Sequence, residues 1–326
     1  MKRCAFVLLA ALAGCASLPP APPAETPYRF EARSGDSIEA MRGVFRVPEN
    51  RSDPQSRTLD IHYVRFPSTA KNPGAPIVYL AGGPGGSGVD AARGERFPMF
   101  MALRGVADVI ALDQRGTGWS EAAPECVSDV VIPIDRRVAP AERNALLRQA
   151  AEECGAFWRK EGFDPAGYTT VENARDLDAL RDHLGARKIS LLAISYGTHL
   201  ALAAVKEMGP RLDRLVLTGV EGLDQTVKLP SETDAYFARL QAAIDREPAA
   251  KAAYPDIAAL LRRVHAKLDA APVTLSVPTK KGAAPMLLTK EIMQMAASAS
   301  IADPQGAARL LMLYLAVDAG VTEPVA

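Results

Sequence analysis

The chain has 326 residues, 48% of them hydrophobic, and its 38 Lys and Arg residues balance 38 Asp and Glu residues. This length and composition suffice for a large buried core, in one large domain or in one domain with an insertion. The balanced charge, with no basic stripe interleaved with aromatic residues, argues against nucleic acid as a partner.

The N-terminus predicts export. Lys2 and Arg3 precede an apolar run over residues 5–13 that is too short to span a bilayer. The run ends in LAGC, which resembles the lipobox of bacterial lipoproteins, whose cysteine is lipidated. We therefore predict a lipoprotein signal peptide over residues 1–14, a lipid anchor on Cys15, and a location facing the periplasm or the cell exterior. An ordinary signal peptide is the alternative.

The Pro-rich residues 15–28 are predicted to form an extended tether. Two cysteines, Cys126 and Cys154, remain in the body of the chain after the signal region. In an exported protein an isolated pair favours a disulfide over two free thiols. The sparse histidines nearby argue against a metal site, and none is predicted.

Strand and helix patterns alternate through the first two thirds of the chain. A strand, a polar turn and a second strand are predicted over residues 43–66. Further strands are expected at 77–80, 106–112, 188–194 and 212–220, and helices at 141–158, from the capping box 169–172 to Gly185, and at 198–208. This alternation predicts a mostly parallel sheet covered on both faces, with the core over 29–221. After Gly222 helical periodicity dominates, which predicts a helical cap over 222–326.

The stretch YLAGGPGGSG, residues 79–88, has two interpretations. It matches the dinucleotide fingerprint G-x-G-x-x-G, with Asp113 as the ribose-binding acid. Alternatively, the glycines bring backbone N–H groups close to a developing negative charge. Pro98 interrupts the helix that a dinucleotide site requires, Asp113 lies inside the Gly-rich turn DQRGTGWS, and no Lys-Ser/Thr follows the glycines as in a P-loop. We therefore predict an oxyanion hole and no cofactor.

The segment KISLLAISYGTHLALAAV supports that interpretation. A strand leads into Ser195 and a helix follows at once, which is the arrangement of the nucleophile elbow. The turn is crowded and requires small residues two positions before and two positions after Ser195. Gly197 meets this requirement, and Ala193 stands in place of the usual first glycine. The helix N-terminus supplies the amide of Tyr196 and a positive potential. By itself a Ser-x-Gly at a strand end also occurs by chance.

Three motifs in this order and spacing carry a family resemblance: GGPGGSG (82–88), DQRGTGWS (113–120) and AISYGTHLAL (193–202). They resemble the proline iminopeptidase and tripeptidyl aminopeptidase branch of the α/β-hydrolases. The resemblance implies an α/β-hydrolase fold with a helical cap and a serine exopeptidase that acts on peptides with a free N-terminus. It implies Ser195 as the nucleophile, and the amides of Tyr196 and Gly83 (or Gly82) as the oxyanion hole.

The same resemblance assigns further residues. It pairs Cys126 with Cys154, and it makes Glu221 and Glu232 candidates for binding the ammonium group of the substrate. We interpret Glu221 as a residue of the cap hinge, or alternatively as a relocated triad acid. Ala81 departs from the pattern, since the iminopeptidases have His at this position, which brings the chain nearer to the tripeptidyl type.

A base for Ser195 is not evident in the sequence. We expect His265 on the surface of the cap, His199 to point along its helix away from Ser195, and His62 and His183 to be structural. The family carries its acid and His on two strands that follow the cap, and this chain ends within the cap. We therefore predict that residues 1–326 alone are inactive.

Other functions remain open at this point. An esterase or amidase fits the same elbow, because the fold does not determine the scissile bond. A non-catalytic binding lipoprotein is also compatible with the sequence, because no base for Ser195 is evident.

Asp113 and Arg115 are predicted to brace the loops around the oxyanion hole rather than to bind substrate.

Overall fold

The computed structural model describes residues 25–120, 123–224, 229–279, 282–301 and 303–321. The chain divides into two compact units, one of Met1–Pro124 with Gly162–Gln225, the other of Glu125–Glu161 with Thr226–Ala326. The predicted division at 221/222 therefore misses Glu125–Glu161, which belongs with the second unit. The predicted signal peptide and Cys15 lie outside the described residues.

Within the described residues of the first unit, seven strands form one mixed sheet in the order β1-β2-β3-β5-β4-β6-β7. The first three are antiparallel, β3 is antiparallel to β5, and β5, β4, β6 and β7 are mutually parallel. Their bounds are β1 Thr26–Glu31, β2 Ser37–Pro48, β3 Thr58–Phe66, β4 Ile77–Leu80, β5 Val109–Leu112, β6 Ile189–Ile194 and β7 Leu212–Thr218. The predicted α/β-hydrolase sheet is confirmed.

Strand β1 corrects the predicted tether over 15–28, since it begins at Thr26. The Pro-rich composition gave no sign of the aromatic contacts that hold this strand in the sheet. Phe30 is fully buried and lies edge-on to Phe66, and Tyr28 lies edge-on to Trp119. These contacts offset the cost of ordering an edge strand.

Helices cover both faces of this sheet. The helices of the first unit, numbered along the whole chain, are α1 Gly88–Arg93, α2 Phe97–Leu103, α4 Thr170–His183 and α5 Tyr196–Met208. Because successive strand residues face opposite sides, Val78 and Leu80 of β4 belong to the core packed by α4 and α5, whereas Tyr79 belongs to the core packed by α1 and α2. This two-sided burial explains why the central strands are apolar at nearly every position.

The second unit is mostly helical. Its described elements are α3 Pro140–Lys160, α6 Pro230–Ile244, α7 Pro248–Ala253, α8 Ile257–Ala270, α9 Lys290–Ser300, α10 Pro304–Asp318 and a hairpin of β8 Val273–Thr279 with β9 Gly282–Leu288. The hairpin modifies the predicted helical cap. Val264, Met293 and Tyr314 are fully buried in the hydrophobic core of the second unit. No helix in the described ranges has both the length and the apolarity needed to cross a membrane.

The predicted disulfide is confirmed, and it joins Cys126 to Cys154 of α3 across a Cα–Cα distance of 5.7 Å. No residue of α3 is buried, so side-chain packing holds this helix only weakly. The Ser128 hydroxyl donates to Glu153, which adds a second link between the same segments. The disulfide restrains the path of residues 126–154 together with two hydrogen bonds to other parts of the second unit: the Leu287 N–H donates to the Ile134 carbonyl at 2.7 Å, and Arg137 donates to the Leu268 carbonyl at 3.0 Å.

Replacing Cys126 and Cys154 together by Ser should lower the free energy of unfolding by about 3.5 kcal/mol, the loop-closure entropy for a sequence separation of 28. Urea unfolding of both forms without reductant measures the difference. Alkylation of the denatured, unreduced parent protein, read by peptide mapping, serves as the control, and alkylation of both Cys126 and Cys154 would contradict the pairing.

Candidate active site

Ser195 lies at the sharp turn between β6 and α5, as predicted. Its backbone has φ 55° and ψ −127°, and it is the sole non-glycine residue with positive φ among the described residues. Such a conformation costs about 1 to 3 kcal/mol and persists only when the surroundings fix it. The Ser195 N–H donates to the Thr218 carbonyl at 3.0 Å, and its own carbonyl accepts from the Thr198 N–H at 2.7 Å.

Two glycines make room for this turn. A Cβ on Gly197 would lie 2.3 Å from the Leu80 carbonyl oxygen, and a Cβ on Gly82 would lie 2.9 Å from the Ser195 Cβ. Neither position accepts a side chain without displacing backbone. Ala193, in the place of the usual first glycine, is fully buried and packs in the core beneath α5.

The predicted oxyanion amides lie on the two segments that meet at Ser195. Gly83 has φ 127° in a turn closed by the Gly86 N–H donating to the Gly82 carbonyl at 3.1 Å. Tyr196 is the first residue of α5. Among the described residues, neither the Gly83 nor the Tyr196 amide donates a hydrogen bond. Both are therefore available to an oxygen bound beside Ser195.

A carboxylate lies directly on the serine hydroxyl. Ser195 Oγ donates to Glu221 Oε1 at 3.1 Å. The Glu221 N–H donates to Thr198 Oγ1 at 2.8 Å, and His199 Nδ1 lies 3.1 Å from the Gly222 carbonyl. The first turn of α5 thus holds the segment after β7 against the elbow, and the assignments of Glu221 to the cap hinge, to the substrate ammonium group or to a relocated triad acid stay predictions.

Thr198 was not identified by the sequence analysis, which considered His199 only as a base for Ser195 and not as a contact of the segment after β7. Both polar side chains stand in the first turn behind Ser195, where their spacing was explained as helix alone. Their position in the first turn of α5 could have identified them as site residues, because side chains there reach the ends of neighbouring strands.

Asp113 braces the Gly-rich loop, as predicted. Its buried carboxylate accepts from Ser87 Oγ at 2.6 Å, from the Val89 N–H at 3.1 Å and from the Trp119 N–H at 2.8 Å. Both carboxylate oxygens are thus used inside the protein, which leaves none for a ribose. The next residue, Gln114, donates from Nε2 to the Ala81 carbonyl at 3.1 Å and ties the turn to the oxyanion segment.

Arg115 anchors the same turn to α4. Its side chain is fully buried and donates to Asp176 through Nε at 2.7 Å and Nη2 at 2.6 Å, and Nη1 donates to the carbonyls of Glu49 and Gly167. Arg51 adds a second cation at 2.7 Å from Asp176. The predicted bracing role of Arg115 is confirmed.

A cavity of about 940 Å³ opens beside Ser195 within the first unit. Gly82, Tyr79 and Ile194 form part of its wall next to the serine. Charged side chains of both signs line the remainder: Arg33, Asp36, Asp90, Glu95 and Arg96. No group of three His, Cys, Asp or Glu residues able to hold a metal occurs in the described part of the chain.

All four histidines are described, and none bonds Ser195. His62 and His183 each keep one buried ring nitrogen without a partner, and burial lowers the pKa of both rings. His199 contacts Gly222, as above. His265 was expected on the cap surface, but it is half-buried in α8 with Nε2 2.8 Å from Tyr314 Oη.

Comparison with known families identifies this fold. A model of the alpha/beta hydrolase fold matches residues 75–285, which include the Gly-rich loop, the elbow and Glu221. The chain belongs to the α/β-hydrolase family. The order of elbow, oxyanion segment and parallel strands agrees with that membership.

Three relatives of this α/β-hydrolase are peptidases by name. The chain is 30% identical over 190 residues to the serine protease Hip1 of Mycobacterium tuberculosis, covering 55% of this chain and 36% of that protein. It is 28% identical over 194 residues to the tripeptidyl aminopeptidase of Streptomyces coelicolor (55% and 34%) and 24% identical over 191 residues to the proline iminopeptidase of Arabidopsis thaliana (59% and 38%). The matched part spans little more than a third of each relative.

Glu232, the second predicted ammonium ligand, lies in the first turn of α6 and is exposed. It belongs to the second unit of the α/β-hydrolase, whereas Ser195 and Glu221 belong to the first. Its assignment stays a prediction.

Replacing Arg115 by Leu should lower the free energy of unfolding by about 3 to 5 kcal/mol, because Asp176 would keep a buried charge with half its partners. Arg46→Leu is the matched control, since Arg46 pairs with Asp60 at 2.9 Å on the surface and its loss should cost about 1 kcal/mol or less. Urea unfolding measures both, and equal losses would contradict the bracing role.

Proposed function

We propose that Ser195 is the nucleophile of a serine peptidase-type hydrolase that removes a residue or short peptide from a free N-terminus. The observation that carries this proposal is the strained backbone of Ser195 at the β6–α5 turn, with its hydroxyl beside two unpaired amides. Strain of this kind is retained where it serves a purpose.

The geometry suits acyl transfer. Ser195 Oγ would attack the carbonyl carbon, and the carbonyl oxygen, as it gains negative charge, would accept from the Gly83 and Tyr196 amides. The N-terminus of α5 adds positive potential at that point. One such donor is worth about 3 to 4 kcal/mol of transition-state stabilisation.

The similarity to a serine protease, a tripeptidyl aminopeptidase and a proline iminopeptidase supports a peptide substrate. The wall of the cavity includes the carboxylates Asp36 and Glu95, which suit a substrate that carries an ammonium group. Ala81 in place of His favours the tripeptidyl type over the iminopeptidases. An esterase or amidase on the same fold is the second candidate, because the elbow acts on either bond.

We further propose that the protein is exported and anchored to a bacterial membrane through a lipid on Cys15. The disulfide supports an oxidising compartment, since such bonds are rare in the cytosol of mesophiles.

In a form that has a histidine base for Ser195, which is not evident in residues 1–326, the protein should hydrolyse tripeptide and aminoacyl p-nitroanilides with a free N-terminus, and acetylation of that N-terminus should abolish hydrolysis. Ser195→Ala should lower kcat by several orders of magnitude, because the nucleophile is lost. Equal cleavage of free and acetylated substrates would contradict the aminopeptidase, and turnover of p-nitrophenyl esters alone would favour the esterase. Hydrolysis unaffected by Ser195→Ala would contradict the proposal altogether.

Cys15→Ser should release the protein from membranes or leave it unprocessed. Detergent partitioning of cells that express each form measures this, with Cys4→Ser as the matched control inside the same leader. Unchanged membrane association of the Cys15 variant would count against the anchor.

A further inference from the structure

We propose that Arg96 and the hydroxyl of Tyr79 bind a carboxylate of the peptide substrate in the cavity beside Ser195. The inference rests on the proposed peptidase function and adds to it the chemical class of group that this part of the cavity wall recognises. It starts from a buried tyrosine whose hydroxyl has no hydrogen-bond partner among the described residues.

The ring of Tyr79 is packed in the core, and its hydroxyl opens on the cavity. Tyr79 is only 2% exposed, and its ring lies 5.1 Å from that of Phe100. Within the described ranges, the side-chain polar atoms that are both sealed from solvent and without a partner belong to His62 and His183. The Tyr79 hydroxyl is therefore reached from the cavity that the residue lines. Because a buried tyrosine hydroxyl normally has a partner, a bound group is expected there.

Arg96 adds a cation at the same part of the wall. It immediately precedes α2 and lines the cavity together with Tyr79. Burial raises the pKa of Tyr79, and the positive charge of Arg96 acts in the opposite direction, so the guanidinium lies near the phenol. The Arg96 side chain is exposed, does not cap α2, and forms no ion pair in the part of the chain that the structure describes.

The carboxylates on the same wall leave Arg96 uncommitted. Asp90 is already paired with Arg33 at 2.5 Å, and Asp36 accepts from a serine hydroxyl of its own turn at 2.8 Å. Glu95 is adjacent to Arg96 in the chain, but the two side chains form no ion pair within the described ranges. The guanidinium is thus available to a ligand.

Two donors that lie near each other match a carboxylate. A planar guanidinium donates to both oxygens of a carboxylate, and a phenol O–H donates to one of them. Since burial raises the pKa of Tyr79, the phenol keeps its proton at neutral pH and acts as a donor. The buried ring of Phe97 also lines the cavity, and such apolar surroundings strengthen a charge-assisted hydrogen bond.

The carboxylate can come from the C-terminus of a short peptide or from an acidic side chain, and peptide affinity separates the two sources. All forms of the full chain carry Ser195→Ala, so that no peptide is consumed. Isothermal titration compares trialanine as the free acid and as the C-terminal amide, and then two tripeptide amides that end in glutamate or in glutamine. In at least one pair the carboxylate peptide should bind about tenfold more tightly than its amide.

Three substitutions connect this preference to the proposed residues. Arg96→Met removes the cation and should abolish the preference, whereas Arg96→Lys should keep part of it. Tyr79→Phe removes only the hydroxyl and should lower the affinity of the carboxylate peptide about fivefold or more, with the affinity of the amide unchanged. Arg29→Met is the matched control, because Arg29 is exposed on β1 outside the cavity lining and pairs with Glu31 at 3.7 Å. Thermal unfolding shows whether each variant folds.

Equal affinity of acid and amide in both pairs would overturn the inference, and so would a preference that survives Arg96→Met. A folded variant that loses affinity for acid and amide alike would overturn it as well, since the residue would then only shape the cavity. Absence of measurable peptide binding would also overturn it, because both donors are present in the chain used. The role of Ser195 is judged separately, by Ser195-dependent hydrolysis.

Discussion

The site depends on one constraint, the positive φ of a serine at a strand-to-helix turn. Ser195 adopts a conformation that L-residues avoid, and the surrounding backbone leaves it no alternative. The Thr218 carbonyl holds its N–H, the Thr198 N–H holds its carbonyl, and the backbone at Gly82 and Gly197 lies too close to admit a Cβ. The helix and strands on either side offset the free-energy cost of this backbone conformation.

Buried charged residues hold the loops around Ser195 in place. Asp113 fixes the Gly-rich loop through three donors, and Arg115, two residues later, fixes the same turn to Asp176 of α4. Removing a single member of such a network leaves an unpaired charge in a poorly solvated place, which is costly. The pairs are therefore better understood as holding the oxyanion segment in one position than as a source of net stability.

The sequence predicted the parts of this molecule that depend on local pattern. The apolar run of β4, the cap of α4 at Thr169 and the turn at Ser195 each follow from a few adjacent residues, and the structure has them at the expected places. Strand β1 was missed because its support, the contact of Phe30 with Phe66, is distant in sequence. The segment Glu125–Glu161 was assigned to the core because its grouping with residues after Thr226 depends on tertiary contacts that no local pattern predicts.

Glu221 shows the same limit at the site itself. Its side chain reaches Ser195 because β6 and β7 are adjacent and parallel, so that residues following the two strands meet at one edge of the sheet. The sequence revealed both strand ends, but not that Thr198 would draw the backbone of Glu221 to within 2.8 Å of its hydroxyl. Once that bond is present, Thr198 connects the backbone of Glu221 to the backbone of the nucleophile, because the same hydroxyl donates to the Ser195 carbonyl. The carboxylate thus reaches the serine from a segment that the elbow helix itself holds, and such a contact depends on strand adjacency, which no local sequence pattern encodes.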